Sequence, residues 1–76
     1  MKEGTFYRVE KWQTVRGIET KTESDHETIE SAMKEFNSVM ATENGVWFVE
    51  IDKYETFVRD DIMVQQLIDV IDIKKF

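Results

Sequence analysis

The clearest pattern of apolar and polar positions lies in the middle of the chain. Its apolar residues recur every three or four positions, as they do along one side of an amphipathic helix: Ile29, Ala32, Met33, Phe36, Val39 and Met40. Ser24 and Glu27 match the Ser-x-x-Glu capping box that often starts a helix. The pattern therefore predicts a helix from Asp25 to Thr42 that buries one apolar stripe.

The N-terminal third is rich in β-branched and aromatic residues and predicts a β-hairpin. Thr5–Val15 and Ile18–Thr22 are two such runs, separated by an Arg-Gly pair. A two-residue loop would pair Val15 with Ile18, and a four-residue loop would pair Gln13 with Ile18. We favour the four-residue loop, because it sets opposite charges across the strands and Arg-Gly is a weak two-residue turn. Both loops leave the same side chains on each face of the sheet.

The second half of the chain predicts two strands and a C-terminal helix. Val46–Asp52 alternates as a strand whose core side carries Trp47, Val49 and Ile51, and Glu55–Arg59 predicts a short antiparallel return strand. Asp60-Asp61 is typical of a helix start. The apolar residues that follow have helical spacing: Ile62, Met63, Leu67, Val70 and Ile71. Many of them are β-branched and the last residues alternate as a strand would, so a strand remains the alternative to the preferred helix.

Together these elements predict an α+β fold. It consists of a small antiparallel sheet with the order ββαββ, one amphipathic helix on one face, and a C-terminal helix. A chain of 76 residues has room for a single domain, residues 1–76. No apolar run approaches the ~20 residues of a membrane span, so we expect a soluble, cytoplasmic protein.

Composition and charge narrow the possible functions. The chain has 10 Lys and Arg against 16 Asp and Glu, and it has no Cys. Without Cys there is neither a disulfide framework nor a thiolate zinc site. The acidic excess opposes nonspecific binding to nucleic acid or to anionic membranes.

No catalytic, metal or cofactor motif is present in the sequence. The single His26 falls at the predicted helix start, where we expect an exposed residue, and no serine lies in an activating motif. The acidic pairs lack the ligand spacing of a calcium loop, and the three glycines are isolated. We therefore expect no enzyme activity, no bound metal and no cofactor.

The sheet face away from the first helix carries the most informative side chains. Strand alternation sends to it an aromatic and basic set that we predict to bind a partner: Phe6, Arg8, Trp12, Lys21 and Phe48. Aromatic residues and Arg are enriched at interaction hot spots. The alternative is that the apolar C-terminal segment folds across this face and buries it.

Two further surfaces are predicted. An acidic surface includes Glu27, Glu30, Asp60 and Asp61. The C-terminal segment is apolar almost all round, which predicts a homodimer interface at Leu67, Ile68, Val70 and Ile71. Acidic residues on the helices could also imitate nucleic acid, although a solvated helix surface explains them better.

The functional hypothesis is a non-enzymatic, acidic protein-binding module. It would act as a regulator or inhibitor by occupying the surface of a partner protein. Small acidic chains without Cys are common among phage and mobile-element proteins. We therefore expect such an origin, although no motif in the sequence indicates it. The alternative is a small nucleic-acid-binding protein that uses the basic, aromatic N-terminal hairpin.

Overall fold

Four antiparallel strands and one helix follow one another in the order ββαββ. The structure is a computed structural model, and it describes residues 4–40 and 45–76. The elements are β1 Gly4–Val15, β2 Ile18–His26, α1 Ile29–Ser38, β3 Val46–Arg59 and β4 Ile62–Lys75. The strands form one sheet with the spatial order β2-β1-β3-β4. The small antiparallel sheet with one helix is thus confirmed, whereas the predicted C-terminal helix is wrong.

The C-terminal segment is a strand because it pairs along β3, which is longer than the sequence pattern indicated. It continues without a break from Val46 to Arg59, through both segments that were predicted as separate strands. Asp60 and Asp61 then form a tight turn with φ values of 52° and 62°, where a helix start was predicted. Positive φ at both central residues is typical of a hairpin turn, and Asp tolerates this region better than most residues. The turn sends β4 back along β3.

The N-terminal hairpin has the shorter of the two loops considered. Val15 pairs with Ile18 across Arg16 and Gly17, whose φ values are 53° and 78°. Glycine adopts such a conformation without steric cost, which offsets the weakness of Arg in this turn. The favoured four-residue loop is therefore wrong. The faces of the sheet are unchanged, because the two registers differ by two residues.

The helix is shorter than its apolar pattern predicted. Residues 24–26 remain in β2, and Thr28 instead caps α1, with its Oγ1 accepting a hydrogen bond from the backbone N–H of Ser31 at 3.2 Å. The helix ends at Ser38, because Val39 is already extended. The predicted end at Thr42 lies outside the described residues. Within the described part of the chain, no helix has the length and apolar character needed to cross a membrane.

The core lies between α1 and one face of the sheet. Ala32 and Phe36 pack against Val9, Val49 and Ile51, and none of these side chains is more than 1% exposed. Two residues depart from the predicted alternation: Val46 is buried and Trp47 is 41% exposed. The β1–β3 ladder shifts register next to them, which changes the orientation at the start of β3.

The edge strand β4 has its own irregular pattern. Its pairing with β3 passes over Ile68 and Ile71, so each is an extra residue in the ladder. The inserted residues place Leu67, Val70 and Ile73, which are three apart in sequence, all on the sheet face away from α1. Of the predicted dimer residues, Ile71 packs against the core, whereas Leu67, Ile68 and Val70 are exposed.

Dimerisation stays a prediction, and the exposed edge strand β4 is the surface through which we expect it. An exposed apolar edge is a template for pairing with a second copy, and such pairing leaves the sheet face away from α1 free. We expect sedimentation at micromolar concentration to give twice the chain mass of 9.1 kDa. Ile68→Asp should give a folded monomer, whereas Ile71→Asp should unfold the chain because Ile71 contacts the core. A folded wild-type monomer at the highest accessible concentration would contradict this prediction.

Candidate functional site

The sheet face opposite α1, called here the open face, is built from cross-strand rows of side chains. In order along the sheet the rows are Phe6–Tyr54–Leu67, Asp25–Arg8–Asp52–Val70, Glu23–Glu10–Glu50–Ile73 and Lys21–Trp12–Phe48–Lys75. All five predicted partner-binding residues lie on this face, and their role in binding stays a prediction. The C-terminal segment extends the sheet at its edge instead of folding across the face. No element within residues 4–40 and 45–76 covers it.

Aromatic pairs occupy both ends of the open face. The rings of Phe6 and Tyr54 stack with centroids 5.3 Å apart, and those of Trp12 and Phe48 meet edge to face at 5.0 Å. The guanidinium carbon of Arg8 lies 4.6 Å from the Tyr54 ring centroid, within the range of a cation–π contact. Tyr54 was missed in the sequence because it falls between the two predicted strands, Val46–Asp52 and Glu55–Arg59. It lies within β3, directly opposite Phe6.

Arg8 is held by hydrogen bonds to side chains on β2 and β4. Its Nε donates to Asp25 Oδ1 at 2.8 Å and its Nη2 to Asp25 Oδ2 at 3.2 Å. A further bond from Nη2 reaches Gln65 Oε1 on β4 at 3.3 Å. Such a bidentate pair with a carboxylate fixes both distance and orientation. The guanidinium therefore pairs with Asp25 on β2, although Asp52 on β3 lies directly opposite Arg8.

Three carboxyl groups meet in the middle of the open face. Glu10, Glu50 and Asp52, called here the carboxylate cluster, each offer an oxygen within 4.8 Å of the other two. Asp52 is 1% exposed and Glu10 is 6% exposed. Burial raises the pKa of Asp52 to about 8, with further contributions from hydrogen bonding and charge repulsion by Glu50 and Glu10. The nearest ammonium, Lys21 Nζ, lies 3.5 Å from Glu10 Oε2.

The carboxylate cluster was not predicted from the sequence. Strand alternation alone assigns Glu10, Glu50 and Asp52 to one face, but it does not show which strands are neighbours. Only the pairing of β1 with β3 sets Glu10 directly opposite Glu50, with Asp52 two residues further along the same strand. The signal that could have found the cluster was this shared face, combined with a correct β1–β3 register.

A second polar cluster joins β2 to α1 on the opposite side of the sheet. Glu35 Oε1 accepts a hydrogen bond from Ser24 Oγ at 2.6 Å and lies 2.6 Å from His26 Nε2, while His26 Nδ1 lies 2.7 Å from Ser31 Oγ. Lys11 Nζ lies 3.6 Å from the other oxygen of Glu35. Burial alone would raise the pKa of Glu35, but these hydrogen bonds and the Lys11 charge hold it below its usual value.

This arrangement is best explained as a structural link. Serine, histidine and a carboxylate are the components of a catalytic triad, in which the acid orients the imidazole and the imidazole activates the serine. Ser31, His26 and Glu35 are connected in that order, and Ser24 Oγ also lies 3.0 Å from His26 Nε2. Glu35, however, also contacts Ser24 and Lys11, so it connects the helix to both β1 and β2. Sequence reasoning placed His26 on the helix, whereas it is the last residue of β2 and half-buried.

The predicted acidic surface is divided between two elements. Glu27 and Glu30 are exposed at the start of α1, and Asp60 and Asp61 are exposed in the turn between β3 and β4. The structure does not bring these residues together into one cluster. The concentrated acidic groups lie instead on the open face, where Glu23 and Asp25 on β2 adjoin the carboxylate cluster.

Comparisons of the chain with protein-family models, with curated proteins and with solved structures found no match. Fold class alone would not define a function, because one architecture serves many unrelated functions. The chemistry of the open face is therefore the basis for a functional hypothesis.

The raised pKa of Asp52 predicts how stability depends on pH. Between about pH 4 and pH 8 the folded chain retains a proton that the unfolded chain has released, so stability falls as pH rises through this range and levels off above it. Asp52→Asn removes this titration. We expect the thermal midpoint of the variant to fall less than that of the wild type between pH 5 and pH 9, without added divalent ions.

Asp69→Asn, at an exposed position of β4, is the matched control and should follow the wild type. Equal pH dependence in the wild type and in Asp52→Asn would show that Asp52 does not hold the extra proton.

Proposed function

We propose that this chain is a non-enzymatic protein-binding module, an acidic regulator or inhibitor that occupies a partner surface with its open face. The observation that supports the proposal most is an uncovered sheet face with large apolar side chains, on a chain whose core lies on the other face. Large exposed apolar patches on soluble proteins usually mark interaction sites.

An aliphatic stripe along β4 adds to the aromatic pairs. Leu67, Val70 and Ile73 are 47%, 45% and 43% exposed. Leu67 continues the row of Phe6 and Tyr54, whereas Val70 and Ile73 continue the two charged rows between the aromatic pairs. An antiparallel sheet with one solvated face usually carries polar side chains there. The open face instead offers apolar area at both ends and along one edge, with polar groups between. That distribution resembles a contact surface, in which aromatic and aliphatic anchors are desolvated and polar groups set the orientation.

The charges of the open face suggest the chemistry of the proposed partner. Glu23 and Asp25 lie beside the carboxylate cluster, and the whole chain has a net charge of −6. A complementary protein surface would present a centre of Lys and Arg residues flanked by apolar area. Opposite charges of this kind accelerate association and exclude acidic competitors.

The nucleic-acid alternative receives less support from the same geometry. Arg8 is paired with Asp25, and Lys21 lies 3.1 Å from Glu23 and 3.5 Å from Glu10. Both cations are therefore already matched by carboxylates on their own face. Phe6 and Tyr54 stack on each other, so these ring faces are occupied by an aromatic partner within the chain. Single-strand binding generally needs both free cations and free ring faces.

Site-specific photo-crosslinking in the source cells tests the proposal. A photoreactive residue at position 70, on the open face, should give an adduct with one defined protein. The same residue at position 34, an exposed lysine of α1 on the other side of the sheet, is the matched control and should not give this adduct. Equal adducts from both positions, or from position 34 alone, would contradict the proposal.

Affinities for the identified, purified partner provide the quantitative step. We expect Trp12→Ala and Val70→Asp each to weaken binding by at least about 30-fold, or ~2 kcal/mol, because the first removes an apolar contact and the second places a charge in one. Lys34→Ala should bind as the wild type does. Salt-dependent binding of single-stranded DNA or RNA, with no effect of these variants on a protein partner, would favour the nucleic-acid alternative instead.

A further inference from the structure

Asp52 is a buried acid whose hydrogen bonding is incomplete. Its side chain is 1% exposed, and its Oδ1 has no hydrogen-bond partner among the described residues. A buried acceptor without a partner destabilises the folded state, and it does so more strongly if it carries charge. A native structure retains such a group at a cost in stability, which suggests that a ligand from outside the chain binds the unpaired oxygen.

The two nearest cationic side chains, Arg8 and Lys21, do not provide a partner for Asp52. Arg8, opposite Asp52 on β1, directs its hydrogen bonds to Asp25 and Gln65. Lys21 reaches the outer member of the carboxylate cluster, Glu10, and divides its contacts with Glu23. Glu50 and Asp52 therefore lack an ion-pair partner in the described part of the chain. Carboxylates this close repel one another whenever more than one is ionised.

We propose that Glu10, Glu50 and Asp52 bind one hard divalent cation of the Ca²⁺ class. Hard cations take oxygen ligands, and carboxylates are the strongest of these in proteins. A central point among three oxygens no more than 4.8 Å apart lies within about 2.8 Å of each, and Ca²⁺–oxygen distances are ~2.3–2.6 Å. Side-chain shifts of a few tenths of an ångström would complete the contacts. The proposal does not depend on the proposed function.

The size of the site favours Ca²⁺ over Mg²⁺. Mg²⁺ needs oxygens at ~2.0–2.1 Å in near-ideal octahedral geometry, whereas Ca²⁺ accepts longer and less regular contacts. The ligands belong to two neighbouring strands, β1 and β3, and their positions are set by the ladder between them. The three carboxylates therefore come together through strand pairing, and the sequence does not show the ligand spacing of a calcium-binding loop. A bound cation would also neutralise the centre of the open face and cross-link the two central strands.

Terbium luminescence provides a direct test, because Tb³⁺ replaces Ca²⁺ in oxygen-ligand sites and is excited by a nearby indole. Trp12 lies two residues from Glu10 on the same face, whereas Trp47 is displaced from that row at the start of β3. We expect saturable tryptophan-sensitised Tb³⁺ emission that Ca²⁺ displaces more effectively than Mg²⁺. Trp12→Phe should lose most of the emission, and Trp47→Phe should retain most of it.

Ligand variants and calorimetry complete the test. Glu50→Gln and Asp52→Asn should each weaken Ca²⁺ binding at least about 10-fold, measured by titration calorimetry with an expected wild-type Kd of roughly 10⁻⁵ to 10⁻³ M and one ion per chain. Asp60→Asn and Asp61→Asn change the exposed turn and are matched controls that should bind Ca²⁺ normally. Added Ca²⁺ should raise the thermal midpoint of the wild type but not of Asp52→Asn.

Three results would overturn the proposal. The first is the absence of saturable Ca²⁺ binding up to ~10 mM, beyond the range of weak protein sites. The second is binding that survives Glu50→Gln and Asp52→Asn, while circular dichroism shows both variants folded. The third is loss of binding in the turn variants, which would place the ion at Asp60 and Asp61.

Discussion

One helix lies on a four-stranded sheet, and it can cover only one of the two faces. Because neighbouring side chains of a strand point to opposite faces, this single constraint divides the residues of every strand into two sets. On β1 and β3 the first set includes Val9, Val49 and Ile51, which are buried beneath Phe36 of the helix. The second set forms the open face. The fold, the exposed apolar area and the carboxylate cluster all follow from this division.

The open face combines apolar borders with an acidic centre. The aromatic pairs at its two ends stabilise the β1–β3 pairing from the uncovered side, where there is no helix to pack against. Between them, buried carboxyl groups destabilise the isolated chain unless they are protonated or matched by a cation. The two proposals would account for both features, since a partner surface would cover the apolar area and a cation would neutralise the acidic centre.

Local patterns predicted the helix and the two faces, but not the long-range pairing. The helical repeat located α1, and the alternation of β1 assigned Phe6, Arg8 and Trp12 to the open face despite a wrong hairpin register. A shift of two residues preserves the alternation, so this error did not affect the faces. The carboxylate cluster depends on the register between β1 and β3, which are separated by a strand and a helix, and no local pattern contains that information.

The wrong prediction of a C-terminal helix has a specific structural cause. Extra residues in β4 at Ile68 and Ile71 change the spacing of its exposed apolar positions from two to three. A spacing of three, together with the acidic pair before it, resembles a capped helix. The β-branched composition indicated the strand correctly, and tertiary pairing with the long β3 decided between the two.

Solvent accessibility of individual methyl groups tests the central claim, that one face of this sheet is a core and the other is uncovered. A soluble paramagnetic agent broadens the NMR signals of methyl groups that it can approach. We expect strong broadening for Leu67, Val70 and Ile73, and little for Val9, Val49 and Ile51. Protection of Val70 and Ile73 to the same degree as Val9 and Ile51, in a protein shown to be monomeric, would contradict the account, because the open face would then be part of a second core.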